Sequence, residues 1–123
     1  MENIELIKNA TLAKENAYAP YSKFKVGACV LTESGKIYCG ANVENISSPI
    51  GICAEKLALS CAIFNKEKIL KIAICGDSEY TYPCGSCRQI MMEFNPDMEV
   101  IIGNLNNFKV YKAKDLLPES FSF

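Results

Sequence analysis

A chain of 123 residues, half of them hydrophobic and 22% charged, is long enough to bury one core and too short for two independent ones. Its 13 basic and 14 acidic residues are mixed along the sequence to a net charge of −1, which argues against the basic footprint of a nucleic-acid binder and favours a small neutral ligand. There is no histidine, so the usual general base and the commonest metal ligand are both missing, and any catalysis falls to Cys, Asp, Glu, Lys or Tyr.

Apolar residues at Leu6, Ala10, Ala13 and Ala17 repeat at helical spacing and predict a helix over residues 3–18, ended by the turn Ala19-Pro20-Tyr21-Ser22. Val26–Leu31 and Ile37–Ala41 read as antiparallel strands joined by the turn Glu33-Ser34-Gly35-Lys36. Ala54, Leu57, Ala58, Cys61 and Ala62 mark a second helix with a broad buried face. Ile69–Gly76 follows as a strand, and Cys84, Cys87, Met91 and Phe94 share one face of a third helix. Residues 100–102 and 108–111 complete the strands, and Asp115-Leu116-Leu117-Pro118 reads as a short helix stopped by proline. This order predicts an α/β fold in one domain over residues 1–123: a three-layer α-β-α sandwich around a mixed sheet of about five strands.

The longest apolar runs have strand length, and Met1–Glu5 carries acids where a secretory signal carries bases, so the expected location is cytoplasmic with no membrane partner. Seven cysteines in a reducing compartment, and an odd count, argue against a disulfide framework. Cys29, Cys39, Cys61 and Cys75 lie in apolar runs and read as core residues. Cys53, Cys84 and Cys87 stand apart, because each falls at a helix start, where free amides and the positive dipole end stabilise thiolates.

Three thiolates from two helix starts suit one Zn2+ with its fourth position open to water, the arrangement of a catalytic site and not of a closed structural one. Alone, Cys84-Gly85-Ser86-Cys87 equally suits a redox pair, a structural half-site or two packed thiols. Together with Cys53-Ala54-Glu55, about thirty residues earlier, it matches the zinc deaminase pattern with cysteine in place of histidine. Glu55 is then the proton carrier, a base towards the attacking water and an acid towards N3 of a pyrimidine and its departing amine. Three thiolates over-compensate the metal charge, which makes Lys56 and Arg88 candidate counter-charges, although both also suit solvated helix cations.

Tyr18-Ala19-Pro20-Tyr21-Ser22-Lys23-Phe24, Asn42-Val43-Glu44-Asn45, Cys53-Ala54-Glu55, Pro83-Cys84-Gly85-Ser86-Cys87-Arg88-Gln89 and Leu116-Leu117-Pro118 follow one another as the blocks of the small cytidine deaminase family do. In these blocks the chain resembles that family over nearly its whole length. The resemblance implies a cytidine deaminase-like fold and hydrolytic deamination of free cytidine-type nucleosides in pyrimidine salvage. It also implies that Asn42 and Glu44 bind ribose hydroxyls, Phe24 packs on the nucleoside and Ala54 offers a backbone group to the base. The short members with three cysteine ligands are homotetramers in which a carboxyl-terminal aromatic stacks on the base of a neighbouring subunit; Phe121 matches that position, a loose tail being the other reading. Two residues depart from the pattern. Lys56 replaces the usual arginine, keeping the charge but losing a planar fork that can bond two thiolates, and Ser48 stands where an aromatic is common.

Three other functions share parts of this pattern. A deaminase of a nucleoside antibiotic such as blasticidin S would share the metal motif but would not need Asn42 and Glu44. A nucleic-acid editing enzyme would need a basic groove. A non-catalytic zinc-binding protein of the same fold would have no use for Glu55.

Overall fold

The computed structural model describes residues 1–123. In chain order the elements are α1 (Asn3–Lys14), β1 (Val26–Thr32), β2 (Ile37–Ala41), a short 3-10 turn (Ser48–Ile50), α2 (Ala54–Phe64), β3 (Ile69–Gly76), α3 (Gly85–Phe94), β4 (Glu99–Gly103), β5 (Phe108–Lys112) and α4 (Ala113–Leu116). The five strands form one sheet in the order β2-β1-β3-β4-β5. Only β3 and β4 are parallel, joined by the α3 crossover; the other neighbours are antiparallel, so the sheet is mixed as the element order predicts.

Strand alternation divides the core into two. Ala28, Val30, Ile72, Ile74, Val100 and Ile102 face one side, where they pack with Ala54, Ala58, Leu59 and Ala62 of α2 and Cys87 and Met91 of α3. Cys29, Leu31, Ala73, Cys75 and Ile101, the residues between them, face the other side and pack on Leu6, Ile7 and Ala10 of α1. The result is the expected three layers. No helix is long and apolar enough to cross a membrane.

Gly27 is what lets α1 lie close to β1. A Cβ at this position would sit 2.1 Å from the Ala10 carbonyl oxygen and 2.4 Å from the Lys14 amide nitrogen. Both are backbone atoms that cannot turn aside. Gly27→Ala is therefore expected to lower stability by about 3 kcal/mol, the upper part of the overpacking range, read as a fall in the denaturation midpoint.

Several elements differ from their sequence reading. α1 ends at Lys14, because Glu15, Asn16 and Ala17 bond three residues back and tighten the last turn, and Tyr18 then donates its amide to Asn42 O at 2.9 Å. Tertiary pairing thus takes over where the apolar stripe continues. In α3, Cys84 is the exposed N-cap and not a member of the buried face, and Phe94 at the far end is half exposed. α4 begins two residues earlier than expected, at Ala113, and stops before Leu117-Pro118.

One cysteine expectation is corrected. Cys29 and Cys39 face each other across β1 and β2 and are joined by a disulfide. Cys29 is buried as expected, but Cys39 is exposed, because β2 is the edge strand of the sheet and Cys39 lines an open groove beside α1. Cys75 is a buried free thiol and Cys61 is partly buried.

Candidate metal centre and ligand pocket

Cys53 is the N-cap of α2 and Cys84 the N-cap of α3, both with extended backbone and neither using its side chain to cap. Cys87, in the first turn of α3, is fully buried beneath them. The two helix starts converge until Cys53 Sγ and Cys84 Sγ are 3.9 Å apart and Cys84 Sγ and Cys87 Sγ 3.6 Å, with all three sulfurs within 4.8 Å of one another. A tetrahedral zinc with bonds of about 2.3 Å spaces its sulfurs by about 3.8 Å. The cluster therefore fits one Zn2+, which Cys53, Cys84 and Cys87 would hold at the end of the cavity.

As free thiols the three differ. Burial comes first in pushing Cys53 and Cys87 above the usual thiol range, and the charges of Glu55 and of the neighbouring sulfurs add to it. Burial acts on Cys84 in the same sense, but the amides of Cys87 and Ser86 and the hydrogen bonds between the sulfurs outweigh it and lower this thiol. A metal bound here must displace protons from Cys53 and Cys87, so affinity rises with pH.

The cavity over the cluster has a volume of about 740 Å³ and is lined by Cys53, Ala54, Glu55 and Cys84 at one end and by Tyr21, Ser22, Asn42, Val43 and Glu44 at the other. Thr81 and Tyr82, from the loop before α3, and Ile46, Ser48 and Ile52 also line it. Glu55 is only 5% exposed, and burial raises its carboxyl above the ordinary range while its own backbone amide pulls weakly the other way. A buried carboxyl beside a three-sulfur centre can carry a proton to and from a bound molecule.

Asn42 and Glu44 reach the cavity, yet both are also tied to the loop over residues 18–26. Asn42 Oδ1 accepts from the Val26 amide at 2.9 Å and its Nδ2 donates to Phe24 O at 2.9 Å. Glu44 Oε1 accepts from the amides of Tyr21 and Ser22, at 3.0 and 3.1 Å, and its Oε2 accepts from the Ser22 hydroxyl. That hydroxyl, followed by the Ser22 amide, holds the Glu44 carboxyl below its ordinary range against a smaller opposing effect of burial.

Phe24 and Phe121 are not brought to the cavity. Phe24 is partly buried in the loop beside it and does not line it. Phe121 is 71% exposed, packs edge-on against Phe123 at 5.2 Å, and is attached to α3 through a bond from Gln89 Nε2 to its carbonyl at 3.3 Å. Arg88 uses Nε on Pro83 O at 2.7 Å and Nη1 on Leu116 O at 2.9 Å, so it fastens α4 to the start of α3 and makes no hydrogen bond to a ligand sulfur. Lys56 is partly buried in the first turn of α2 and forms no ion pair. Ser22, Thr81 and Tyr82 escape a reading of the sequence for chemistry; for Ser22 the available signal is its place inside the block Tyr21-Ser22-Lys23-Phe24.

Fold and site together define an α/β metalloenzyme with a three-cysteine metal centre and a buried acid lining the same cavity. The description of the cytidine and deoxycytidylate deaminase zinc-binding region matches residues 1–104. A cytidine deaminase of Halalkalibacterium halodurans is 40% identical over 126 aligned residues, covering 99% of this chain and 96% of its own. The crystal structure of a cytidine deaminase from Burkholderia pseudomallei superposes with a TM-score of 0.94 at 42% identity, over 98% of this chain and all of that one. A Mycobacterium tuberculosis cytidine deaminase gives a TM-score of 0.82 at 34% identity, over 97% and 96% of the two chains. The chain belongs to the cytidine and deoxycytidylate deaminase zinc-binding family.

Proposed function

We propose that this chain, acting as one domain over residues 1–123, catalyses the hydrolytic deamination of cytidine and 2′-deoxycytidine to uridine and deoxyuridine with release of ammonia, a pyrimidine salvage reaction. One observation carries the reading: a single cavity holds the three-sulfur cluster and the buried Glu55 at one end and Asn42 and Glu44 at the other. Its two ends match the two parts of a nucleoside, an amine-bearing ring and a hydroxylated sugar. The relatives named cytidine deaminase, aligned over nearly the full chain, support the same reaction.

Cys53, Cys84 and Cys87 hold the zinc, which supplies Lewis acidity that activates water at neutral pH. Glu55 takes a first proton from the attacking water and gives it to N3, then takes the hydroxyl proton of the resulting adduct and gives it to the departing amine. Ala54 offers its backbone to the base, Glu44 accepts from a sugar hydroxyl, and Asn42 orders the loop that closes the sugar end. Lys56 and the Arg88 guanidinium, the latter fixed beside Pro83, add positive potential near the sulfurs. The test is loss of cytidine absorbance with stoichiometric ammonia. A zinc-loaded protein inert towards both nucleosides but active on a nucleoside antibiotic would overturn this substrate.

The active form is read as a homotetramer with its sites near subunit interfaces. Ile46, 85% exposed, and Val43, also exposed, line the cavity, an apolar rim that a neighbouring chain would cover. In this reading Phe121, exposed and outside the lining of its own cavity, stacks on a base in such a neighbour. In this reading Phe24, partly buried beside the cavity, packs on the bound nucleoside. Sedimentation should give about four times the 13.6 kDa mass of one chain; a monomer retaining full activity would remove the shared-site reading. A cytoplasmic location goes with this reading, because the three ligand sulfurs are free thiols, although Cys29 and Cys39 are paired.

A further inference from the structure

The segment from Tyr21 to Phe24 is folded around one carboxylate. A turn closed by the Lys23 amide on Ala19 O at 3.1 Å carries the amides of Tyr21 and Ser22, which both donate to the same oxygen of Glu44, and Lys23 then has a φ of 61°, in the left-handed region that few side-chain-bearing residues adopt. The Ser22 hydroxyl has two partners at once. Its oxygen accepts from the Phe24 amide at 3.0 Å, while its proton is given to Glu44 Oε2.

A carboxylate has about four acceptor positions, two on each oxygen. Two amides occupy Oε1, and the Ser22 hydroxyl occupies one place on Oε2. A single acceptor position remains, on Oε2. With Oε1 anchored by the main chain, the Ser22 hydroxyl fixes the remaining freedom, the rotation of the carboxylate plane, and so decides where the last lone pair points.

We propose that Ser22 is a positioning residue that orients the free lone pair of Glu44 towards one sugar hydroxyl of the nucleoside, so that Glu44 accepts one substrate hydrogen bond and not two. The inference rests on the reading of Glu44 as a sugar-hydroxyl acceptor. Ser22 touches no reacting atom and acts through Glu44, so its effect belongs in substrate binding. Loss of one hydrogen bond to a charged group predicts about a tenfold change at an exposed position.

The experiment compares Ser22→Ala, Ser22→Thr and Glu44→Gln on two substrates, cytidine and 2′,3′-dideoxycytidine, which lacks the 2′- and 3′-hydroxyls of the sugar ring, the ones Glu44 is read to accept from, and keeps only the 5′-hydroxyl. Ser22→Ala is expected to raise KM for cytidine about tenfold with kcat within about twofold of the parent, and to leave kcat/KM for dideoxycytidine unchanged. Ser22→Thr, which keeps the hydroxyl, is expected to restore the parent KM. Ser22→Ala losing the same factor on both substrates would show only a disordered loop and overturn the proposal, as would a parent-like cytidine KM in Ser22→Ala when Glu44→Gln raises it. Glu44→Gln leaving both substrates unaffected would instead remove the sugar-acceptor reading of Glu44, and the role of Ser22 with it. Ser22 is exposed, so melting temperatures of the variants should match the parent and separate these outcomes from a failure to fold.

Discussion

Glu55→Gln should lower kcat/KM for cytidine by three to four orders of magnitude, on the order of the full contribution of a positioned acid–base group. At about 1.36 kcal/mol per tenfold, that is a loss of about 4 to 5 kcal/mol of transition-state stabilisation. The substitution keeps the shape of the side chain, and Glu55 makes no ion pair, so neither packing nor a charge network is disturbed. Only the capacity to carry a proton is removed. Burial has already raised the Glu55 carboxyl, bringing its proton affinity nearer to neutrality, where an acid–base group exchanges protons most effectively. Zinc content should remain about one per chain, since the three sulfurs are untouched. A zinc-loaded Gln variant within tenfold of the parent rate would take Glu55 out of the reaction.

That experiment tests the part of the site most plainly written in the sequence. Cys53, Glu55, Cys84 and Cys87 were legible because their order depends only on two helix starts, and helix starts leave local signals. The strands were legible for a similar reason: the residues of β1, β3 and β4 alternate between two cores, and an alternating or wholly apolar run reveals that. What the sequence hid depended on distant partners. The pairing of Cys29 with Cys39 follows from the hairpin register, and a shift of one residue would have put them on opposite faces. The early end of α1 reflects a bond from Tyr18 to Asn42, far along the chain.

Asn42 and Glu44 illustrate a different limit. Their polar side chains in a loop suggest ligand contacts, but loops must also satisfy their own amides, and half of the side-chain bonding capacity of Asn42 and most of that of Glu44 goes to the loop over residues 18–26. Arg88 behaves likewise, since a guanidinium near a metal motif suggests charge compensation while two of its donors hold backbone carbonyls. In each case residue type and position were readable from the chain, but the division of hydrogen bonds between fold and ligand was not.

Cys84→Ala should abolish zinc binding, activity and the stability that zinc confers. Cys84 is the best ligand for this test because it is exposed: its removal opens no cavity, whereas Cys87→Ala would combine lost ligation with a gap in the core beside Met91. Metal affinity held by three thiolates is free energy of the folded state, so the parent should melt well above Cys84→Ala when both are supplied with zinc. After treatment with a chelator the two should melt together, because an exposed thiol contributes little to packing. The sign of the pH effect follows from the thiols. Cys53 and Cys87 are raised and must lose protons to bind metal, so the stability increment from zinc should shrink as pH falls, while the melting temperature of the variant should not share that trend. Retention of one zinc per chain in Cys84→Ala, or an equal melting difference with and without chelator, would show that Cys84 is not a ligand and that the sulfur cluster serves the fold alone.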